Sequence, residues 1–165
     1  MQILSPKAAR FAARLLSPFW FRLFLLIKLP MALIAGLRVR TINAEQATVT
    51  VPYKWLNQNP FNSTYFAVLS MAGEMATGSL GLLAIENAGH PISILVVEMH
   101  SEFHKKATDT ATFTCSDGRK LFDAVEQTLQ TGEPIRISTT STGVNASGEM
   151  VARFVVTWSI KRKGG

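Results

Sequence analysis

The stretch that decides the fold covers residues 65–85 and reads YFAVLSMAGEMATGSLGLLAI. Apolar and small residues occur throughout it, and Glu74 carries its only charge. A helix that is apolar nearly all round is buried, and small residues allow other backbones to approach it closely. The preceding Asn62, Ser63 and Thr64 are residue types that cap helix N-termini. We therefore predict a long buried helix over residues 63–85.

Segments with the two-residue alternation of β-strands lie on both sides of this helix. In the first of them, apolar side chains such as Val49 and Val51 alternate with Thr48 and Thr50, which is typical of a half-buried strand. The predicted strands cover residues 47–53, 92–103, 108–115, 135–142 and 150–161, and a second helix covers residues 119–130. Strands in one block with inserted helices indicate an α+β domain with an antiparallel sheet.

The basic residues are concentrated near the N-terminus. Seven lysines and arginines and no acid occur in residues 1–40, whereas the rest of the chain carries ten basic and eleven acidic residues. A nucleic-acid-binding domain usually carries its basic residues on the folded surface, often with aromatic residues between them. We therefore expect no nucleic acid as a partner. The distribution divides the chain into a basic, apolar helical arm over residues 1–37 and a nearly neutral domain over residues 38–163.

Pro18 and Pro30 bracket a dense apolar run in the arm, which Arg22 and Lys28 interrupt. Each of these charges costs about 2.5–3.5 kcal/mol near the centre of a bilayer, which disfavours a transmembrane helix. A cleavable signal peptide is also disfavoured, because the run begins late and lacks a cleavage site. Two interpretations remain: the arm packs on the domain or on a dimer mate, or residues 7–29 contact an anionic membrane surface. We expect a cytoplasmic protein, membrane-associated under the second interpretation.

The chain has one cysteine, Cys115, and three histidines that lack the spacing of metal ligands. A single cysteine excludes an internal disulfide and a cysteine-rich zinc site. The histidine spacing argues against a metal enzyme. We therefore predict neither a bound metal nor another cofactor.

The order of elements and the stretch NPFNSTYFAVLSMAGE over residues 59–74 resemble the hotdog fold of acyl-CoA thioesterases and dehydratases. The resemblance is closest to the group called domain of unknown function 4442, which is similar to phenylacetate-pathway thioesterases. In those thioesterases the stretch runs asparagine, five residues, His-Gly-Gly and then an acid. In this sequence the corresponding positions are, in order, Asn59, Tyr65 at the histidine, Phe66 and Ala67 at the glycines, and Glu74 at the acid.

The resemblance implies an antiparallel sheet wrapped around the long helix, and a thioester site at that helix. Glu74 would be the base or nucleophile, with Asn59 and Tyr65 as further catalytic residues. The backbone amides of Phe66 and Ala67 would bind the thioester carbonyl. Each of these residues also has a structural interpretation, as a satisfied buried acid, a turn residue or a packing residue.

Glu74 lies too far along the helix to meet those amides in the same subunit, about 13 Å at a rise of 1.5 Å per residue. The resemblance implies that the amides of one subunit face the acid of another, so the hypothesis requires a homodimer, or a tetramer built from dimers. Ser70 and Thr77 lie within a turn of Glu74 and are predicted to contact substrate or to pack in the helix. Lys105 and Lys106 are predicted to meet the phosphates of coenzyme A or to form a solvated strand end.

Two functions remain open at this point. The first is hydrolysis of an acyl-CoA or a related thioester, motivated by the position of Glu74. The second is a non-catalytic module that binds an acyl chain or another apolar ligand in the same groove. The second is motivated by Tyr65, Phe66 and Ala67, which replace His-Gly-Gly.

Overall fold

In the computed structural model, which describes residues 3–163, a six-stranded sheet packs around one long helix. Three helices precede the sheet, and one further helix is inserted between its strands. The elements are α1 (Pro6–Leu16), α2 (Pro18–Lys28), α3 (Pro30–Ala35), β1 (Arg38–Ile42), β2 (Ala47–Val51), a 3-10 turn (Trp55–Asn57), α4 (Phe66–Ala88), β3 (Ile92–Phe103), β4 (Ala111–Cys115), α5 (Gly118–Thr131), β5 (Ile135–Val144) and β6 (Met150–Arg162).

The strands are antiparallel throughout and follow the order β1-β2-β4-β5-β6-β3. β1 and β3 are therefore the two edges of the sheet. The long pair β3–β6 runs from Ile92 opposite Arg162 to Phe103 opposite Ala152, with one register shift between Val96 and Glu98. The inner face of the sheet buries apolar side chains such as Phe154 against α4. The predicted α+β class, with an antiparallel sheet around a long central helix, is confirmed.

The small residues of α4 allow this close packing. A Cβ atom at Gly73 would clash with the ring of Phe154, and one at Gly81 would lie 2.6 Å from Cδ1 of Ile94. Each glycine costs about 1 kcal/mol in helix propensity, and close contact with the sheet offsets that cost. By length and composition, α4 could cross a membrane. However, 67% of its apolar 18-residue stretch is buried inside the protein. It is the core helix of the domain.

The predicted start of α4 at Ser63 is wrong, because the helix begins at Phe66 after an extended Tyr65. Both the amide and the hydroxyl of Ser63 donate to Oδ1 of Asn59, at 3.3 and 3.2 Å. The amide and hydroxyl of Thr64 donate to the carbonyl oxygen of Ala107, at 2.8 and 3.0 Å. These bonds hold both residues in the loop and prevent them from capping the helix.

Several strand limits also differ from the prediction. β2 ends at Val51 and not at residue 53, because Pro52 has no amide to donate to the sheet. β4 begins at Ala111 and not at residue 108, and β5 continues to Val144. β1 was not predicted, because its burial does not alternate regularly and its register shifts beside Val39.

The arm consists of three short helices, and each of them begins with a proline. Proline suits the first helical position, where its missing amide costs no hydrogen bond. The start of the arm packs against the C-terminal end of α4. The amide of Ser5 donates to Oδ1 of Asn87 at 2.8 Å, and Lys7 pairs with Glu86 at 3.0 Å. The apolar core of the protein includes arm residues from all three helices, among them Ala8, Ala12, Leu15, Phe21, Leu25 and Ala32.

Candidate active site

A cleft of about 320 Å³ opens beside the first turn of α4. It brings together four residues singled out from the sequence, namely Asn59, Phe66, Lys105 and Lys106. Phe103 of β3 forms part of its wall, and its ring meets that of Phe66 edge to face at a centroid distance of 6.2 Å. The cleft therefore joins the helix N-terminus to the end of the edge strand.

The first amides of α4 are free to bind a ligand. Tyr65 is the N-cap residue, and its side chain makes no capping hydrogen bond. Within residues 3–163, the amides of Phe66 and Ala67 donate to no protein acceptor, whereas the next amide, that of Val68, donates to the carbonyl of Tyr65 at 2.9 Å. A helix N-terminus also carries a partial positive charge that favours negative atoms. These amides can polarise a carbonyl oxygen that enters the cleft.

The loop before α4 holds this N-terminus in place. The amide of Tyr65 donates to the carbonyl of Asn57 at 2.7 Å. The buried side-chain amide of Asn57 donates in turn to the carbonyls of Ala35 and Pro52, at 2.8 and 2.7 Å. The side chain of Tyr65 is 45% exposed, so its hydroxyl is not part of the buried core.

Asn59 acts as the centre of a turn. Its Oδ1 atom accepts hydrogen bonds from the amide of Phe61 at 2.9 Å and from the amide and hydroxyl of Ser63. The residue therefore shapes the wall of the cleft, and its oxygen is occupied. This geometry fits the turn interpretation of Asn59, with its side chain still facing the cleft.

The two lysines of the cleft are already paired in part. Nζ of Lys105 lies 2.5 Å from Glu149, and Nζ of Lys106 donates to the carbonyl of Phe61 at 3.1 Å. The pairing with Lys105 and with Asn145 lowers the pKa of the Glu149 carboxyl. The lysines lie beside the helix N-terminus, and a role at coenzyme A phosphates stays a prediction.

Glu74 lies in a separate, apolar pocket of about 180 Å³. Burial raises the pKa of its carboxyl above the ordinary value of 4.5. Within the described residues, its carboxylate has no hydrogen bond or ion pair to offset that burial, and one of its oxygens lies near Gly78. The pocket is lined by Leu15, Phe21, Phe24, Leu29, Val39, Glu74, Met75, Gly78, Ser79, Leu82, Ile94 and Trp158.

The two polar residues near Glu74 have different surroundings. Ser70 lies on the incompletely buried side of α4, where its hydroxyl donates to the carbonyl of Phe66 at 2.9 Å. Thr77 is fully buried, donates to the carbonyl of Glu74 at 2.9 Å and accepts from the indole of Trp158 at 3.2 Å. Ser70 can therefore face a ligand, whereas Thr77 faces the core.

Except for the buried Thr77, the candidate residues on α4 share one stripe of its surface. The exposed or partly buried positions at helical spacing along this stripe include Phe66, Ala67, Ser70, Glu74 and Leu82. Glu74 is eight residues from Phe66, which is about 12 Å along the helix. Within one chain, the free amides and the acid therefore cannot act on the same atom.

The arm residues around Glu74 were not predicted from the sequence. Phe21 and Phe24 of α2 line the pocket of the acid together with Ile94 and Trp158 of the sheet. The helical spacing of Phe21 and Leu25 indicates a buried face, but it does not indicate that this face covers Glu74. Cys115, by contrast, is fully buried, and burial raises the pKa of its thiol to about 11, which makes it a poor nucleophile.

Solved structures similar to this chain have the same architecture. A protein of unknown function from Chlorobaculum tepidum is 17% identical, with a TM-score of 0.74 over 90% of this chain and 98% of its own. A Pseudomonas aeruginosa protein described as a probable thioesterase is also 17% identical, with a TM-score of 0.73 over 89% of this chain and 97% of its own. A thioesterase from Haemophilus influenzae is 10% identical, with a TM-score of 0.62 over 85% and 88%.

These likenesses show the fold, and the predicted hotdog architecture is thereby confirmed. No functionally curated protein matches the sequence. The sequence does match the family described as domain of unknown function 4442, over residues 19–160. The match includes α3, nearly all of α2 and nearly the whole sheet, so about half of the arm is covered by the match along with the hotdog domain. The chain therefore belongs to the family of domain of unknown function 4442.

Proposed function

We propose that this protein hydrolyses an acyl-CoA or a related acyl thioester as a homodimer. The observation that carries the proposal is the presence of two unbonded amides at the start of α4 and of the partly buried, unpaired carboxylate of Glu74 on the same stripe of that helix. Amides aimed at a developing oxyanion and a carboxylate base are the two groups that thioester hydrolysis needs. The thioesterase-like fold supports a thioester as the substrate class.

In the proposed reaction the thioester carbonyl enters the cleft and accepts hydrogen bonds from the amides of Phe66 and Ala67. Glu74 of the other subunit takes a proton from water, whose oxygen then forms a bond to the carbonyl carbon. The carbon–sulfur bond breaks when the oxyanion collapses, and the proton held by Glu74 passes to the leaving sulfur. The products are a carboxylic acid and a free thiol. A raised pKa makes the ionised Glu74 a stronger base.

The dimer of the proposal forms along β3. This strand is a sheet edge, and its burial pattern leaves Leu95, Val97 and Met99 between 38% and 63% exposed. A long apolar edge strand is a template for pairing with another chain. Pairing of two β3 edges about a two-fold axis would also bring the exposed stripes of two α4 helices together, and the two helices would run antiparallel to each other. The amides of one subunit would then face Glu74 of the other.

A thiol-release assay over a series of acyl-CoA chain lengths tests the proposal. Glu74→Gln removes the base and keeps the size of the side chain, so we expect a loss of about 10²–10⁴ in kcat. Glu126→Gln removes the same charge from an exposed site on α5 and is expected to leave kcat unchanged. Full activity in Glu74→Gln would remove Glu74 from the mechanism.

A non-catalytic binding module is the second candidate function. The apolar pocket around Glu74 favours it, as does the presence of side chains at Phe66 and Ala67, where the thioesterases that the sequence resembles have glycines. Mass spectrometry of the purified protein would then find a bound acyl chain or another apolar ligand. Such a ligand together with no turnover at any chain length would favour this function, and turnover would exclude it.

A peripheral membrane contact through residues 7–29 is the arm's proposed role. The outward face of α2 consists of Phe19, Trp20, Leu23, Leu26 and Ile27, which are 37–68% exposed. An aromatic, apolar face on a basic arm fits the interface of an anionic bilayer. Co-sedimentation with anionic vesicles is expected to weaken in Leu26→Ser and to persist in Met150→Ser, which alters an exposed residue of β6. If the face is instead covered by a second copy, Leu26→Ser will change the oligomeric mass and not the vesicle binding.

A further inference from the structure

Another cleft lies away from Glu74, between the arm and the β1 edge of the sheet. It has a volume of about 620 Å³. Four cations line it, and they come from three parts of the chain: Arg22 from α2, Arg38 and Arg40 from β1, and Lys54 from the segment after β2. Its other lining residues are Leu33, Gly36, Leu37, Thr50, Pro52 and Thr110.

The positive charge of this basic cleft is not neutralised by the protein. No aspartate or glutamate of residues 3–163 lines it, and none of its four cations takes part in the ion pairs found in that range. Like charges gathered in one concave site repel each other, and an anion would relieve that repulsion.

Two of the cations are held in place by neutral partners. Nε of Arg40 donates to the hydroxyl of Thr50 at 2.9 Å, which leaves the rest of its guanidinium fork free. Nζ of Lys54 donates to the carbonyl of Ile34 at 2.6 Å, beside the positive-φ turn at Gly36. Positioned donors lose less conformational entropy when they bind a ligand than mobile ones do.

Protection of an edge strand against aggregation explains only part of this arrangement. Charged residues on an edge strand discourage pairing with other chains, and this accounts for Arg38 and Arg40 on β1. It does not account for Arg22 and Lys54, which belong to other segments and converge on the same space. The convergence is typical of a binding site.

We propose that the basic cleft binds a phosphate group carried by a phosphorylated ligand. The forks of Arg38 and Arg40 match the oxygens of a phosphate, and Arg22 and Lys54 add charge around it. Thr110 also lines the cleft, and its hydroxyl is a neutral group that can donate to a phosphate oxygen. This site does not depend on the proposed thioesterase activity. It lies at the β1 edge of the sheet, opposite the β3 edge.

Two probes distinguish a soluble phosphate from a lipid headgroup. The full-length protein is titrated with pyrophosphate by calorimetry at constant ionic strength. It is also co-sedimented with phosphatidylcholine vesicles that contain or lack phosphatidylglycerol. Binding of pyrophosphate without vesicle binding assigns the site to a soluble phosphorylated ligand, and the reverse result assigns it to a lipid. If the protein binds neither probe, the proposal is overturned.

Paired charge variants test the position of the site. R38A/R40A is expected to weaken binding by about 100-fold or more, because each arginine contributes a charged hydrogen bond. R136A/R153A removes the same charge from exposed arginines on β5 and β6 and is expected to bind like the unmodified protein. Equal losses in the two variants would show a general charge effect and overturn the proposal.

Thermal melting checks that each variant is folded. R38K/R40K keeps the charge without the guanidinium fork, and it is expected to bind at an intermediate level.

Discussion

Mixing two inactive variants tests whether each active site is shared between subunits. Phe66→Pro removes one of the amides that face the proposed oxyanion. Proline is tolerated at the first helical position, and the backbone of Tyr65 (φ −61°, ψ 135°) already has the extended conformation that precedes proline. Phe66→Ala removes the ring and keeps the amide, so it is the matched control. The partner variant is Glu74→Gln.

The distance along α4 sets the expected magnitude. Phe66 and Glu74 are about 12 Å apart at 1.5 Å per residue, so one chain cannot supply both groups to one carbonyl. Loss of one oxyanion donor costs about 10²–10³ in kcat, so each variant alone is nearly inactive. After random subunit exchange half of the dimers are mixed, and each mixed dimer has one site with both groups intact. The mixture is therefore expected to regain about a quarter of the unmodified activity in an isologous dimer.

The assay is thiol release from an acyl-CoA before and after exchange, with two differently tagged subunits to measure the fraction of mixed dimers. Recovery should follow that fraction. The reasoning is refuted if mixed dimers form and activity stays at the level of the separate variants. It is also refuted if Phe66→Pro and Phe66→Ala have the same kcat, because the amide would then contribute nothing.

The remaining predictions concern ionisation and packing. Burial raises the pKa of Glu74 in the folded protein, so ionisation of this carboxyl costs stability. The cost is absent below pH 4.5, grows as the pH rises from 4.5 to the raised pKa, and is constant above it. Denaturant titration should find Glu74→Gln more stable than the unmodified protein at pH 8 and equally stable below pH 4. Activity should follow ionisation of the same group and fall as the pH is lowered through its pKa, and a flat acidic limb would count against Glu74 as the base. Leu25→Ala empties a fully buried position of α2 and should lower the free energy of unfolding by about 2–5 kcal/mol; a change near zero would mean that the arm is not part of the core. Gly73→Ala should lower the melting temperature, because its Cβ would meet the ring of Phe154, whereas Ala67→Gly on the exposed stripe should change it much less.

The long helix could be predicted because its composition requires burial. Residues 65–85 are apolar on nearly every side, and the alternating segments before and after them supply a sheet to cover that surface. Its start could not be predicted, because Ser63 and Thr64 look like caps and are instead bonded to Asn59 and Ala107. The contact with Ala107 joins residues 43 positions apart, and no local pattern indicates it.

The candidate site was predictable to a similar extent. The position of Glu74 in the motif and its isolation in an apolar helix identified the acid from the sequence. The pocket around Glu74 depends on where the arm places Phe21 and Phe24 against the domain, which is a matter of tertiary packing. The basic cleft likewise depends on Arg22 and Lys54 meeting across the arm, although the excess of basic residues near the N-terminus was evident from the sequence.

The bond between Ser5 and Asn87 has a consequence for synthesis. It ties the first helix of the chain to a residue 82 positions later. At an elongation rate of about 5–20 residues per second, the ribosome takes roughly 4–16 s to reach the partner of Ser5. Phe21 and Leu25 of the arm belong to the apolar core of the folded protein, and they are made while much of that core is still to be synthesised. The nascent chain therefore leaves these side chains without their core partners until the later elements follow.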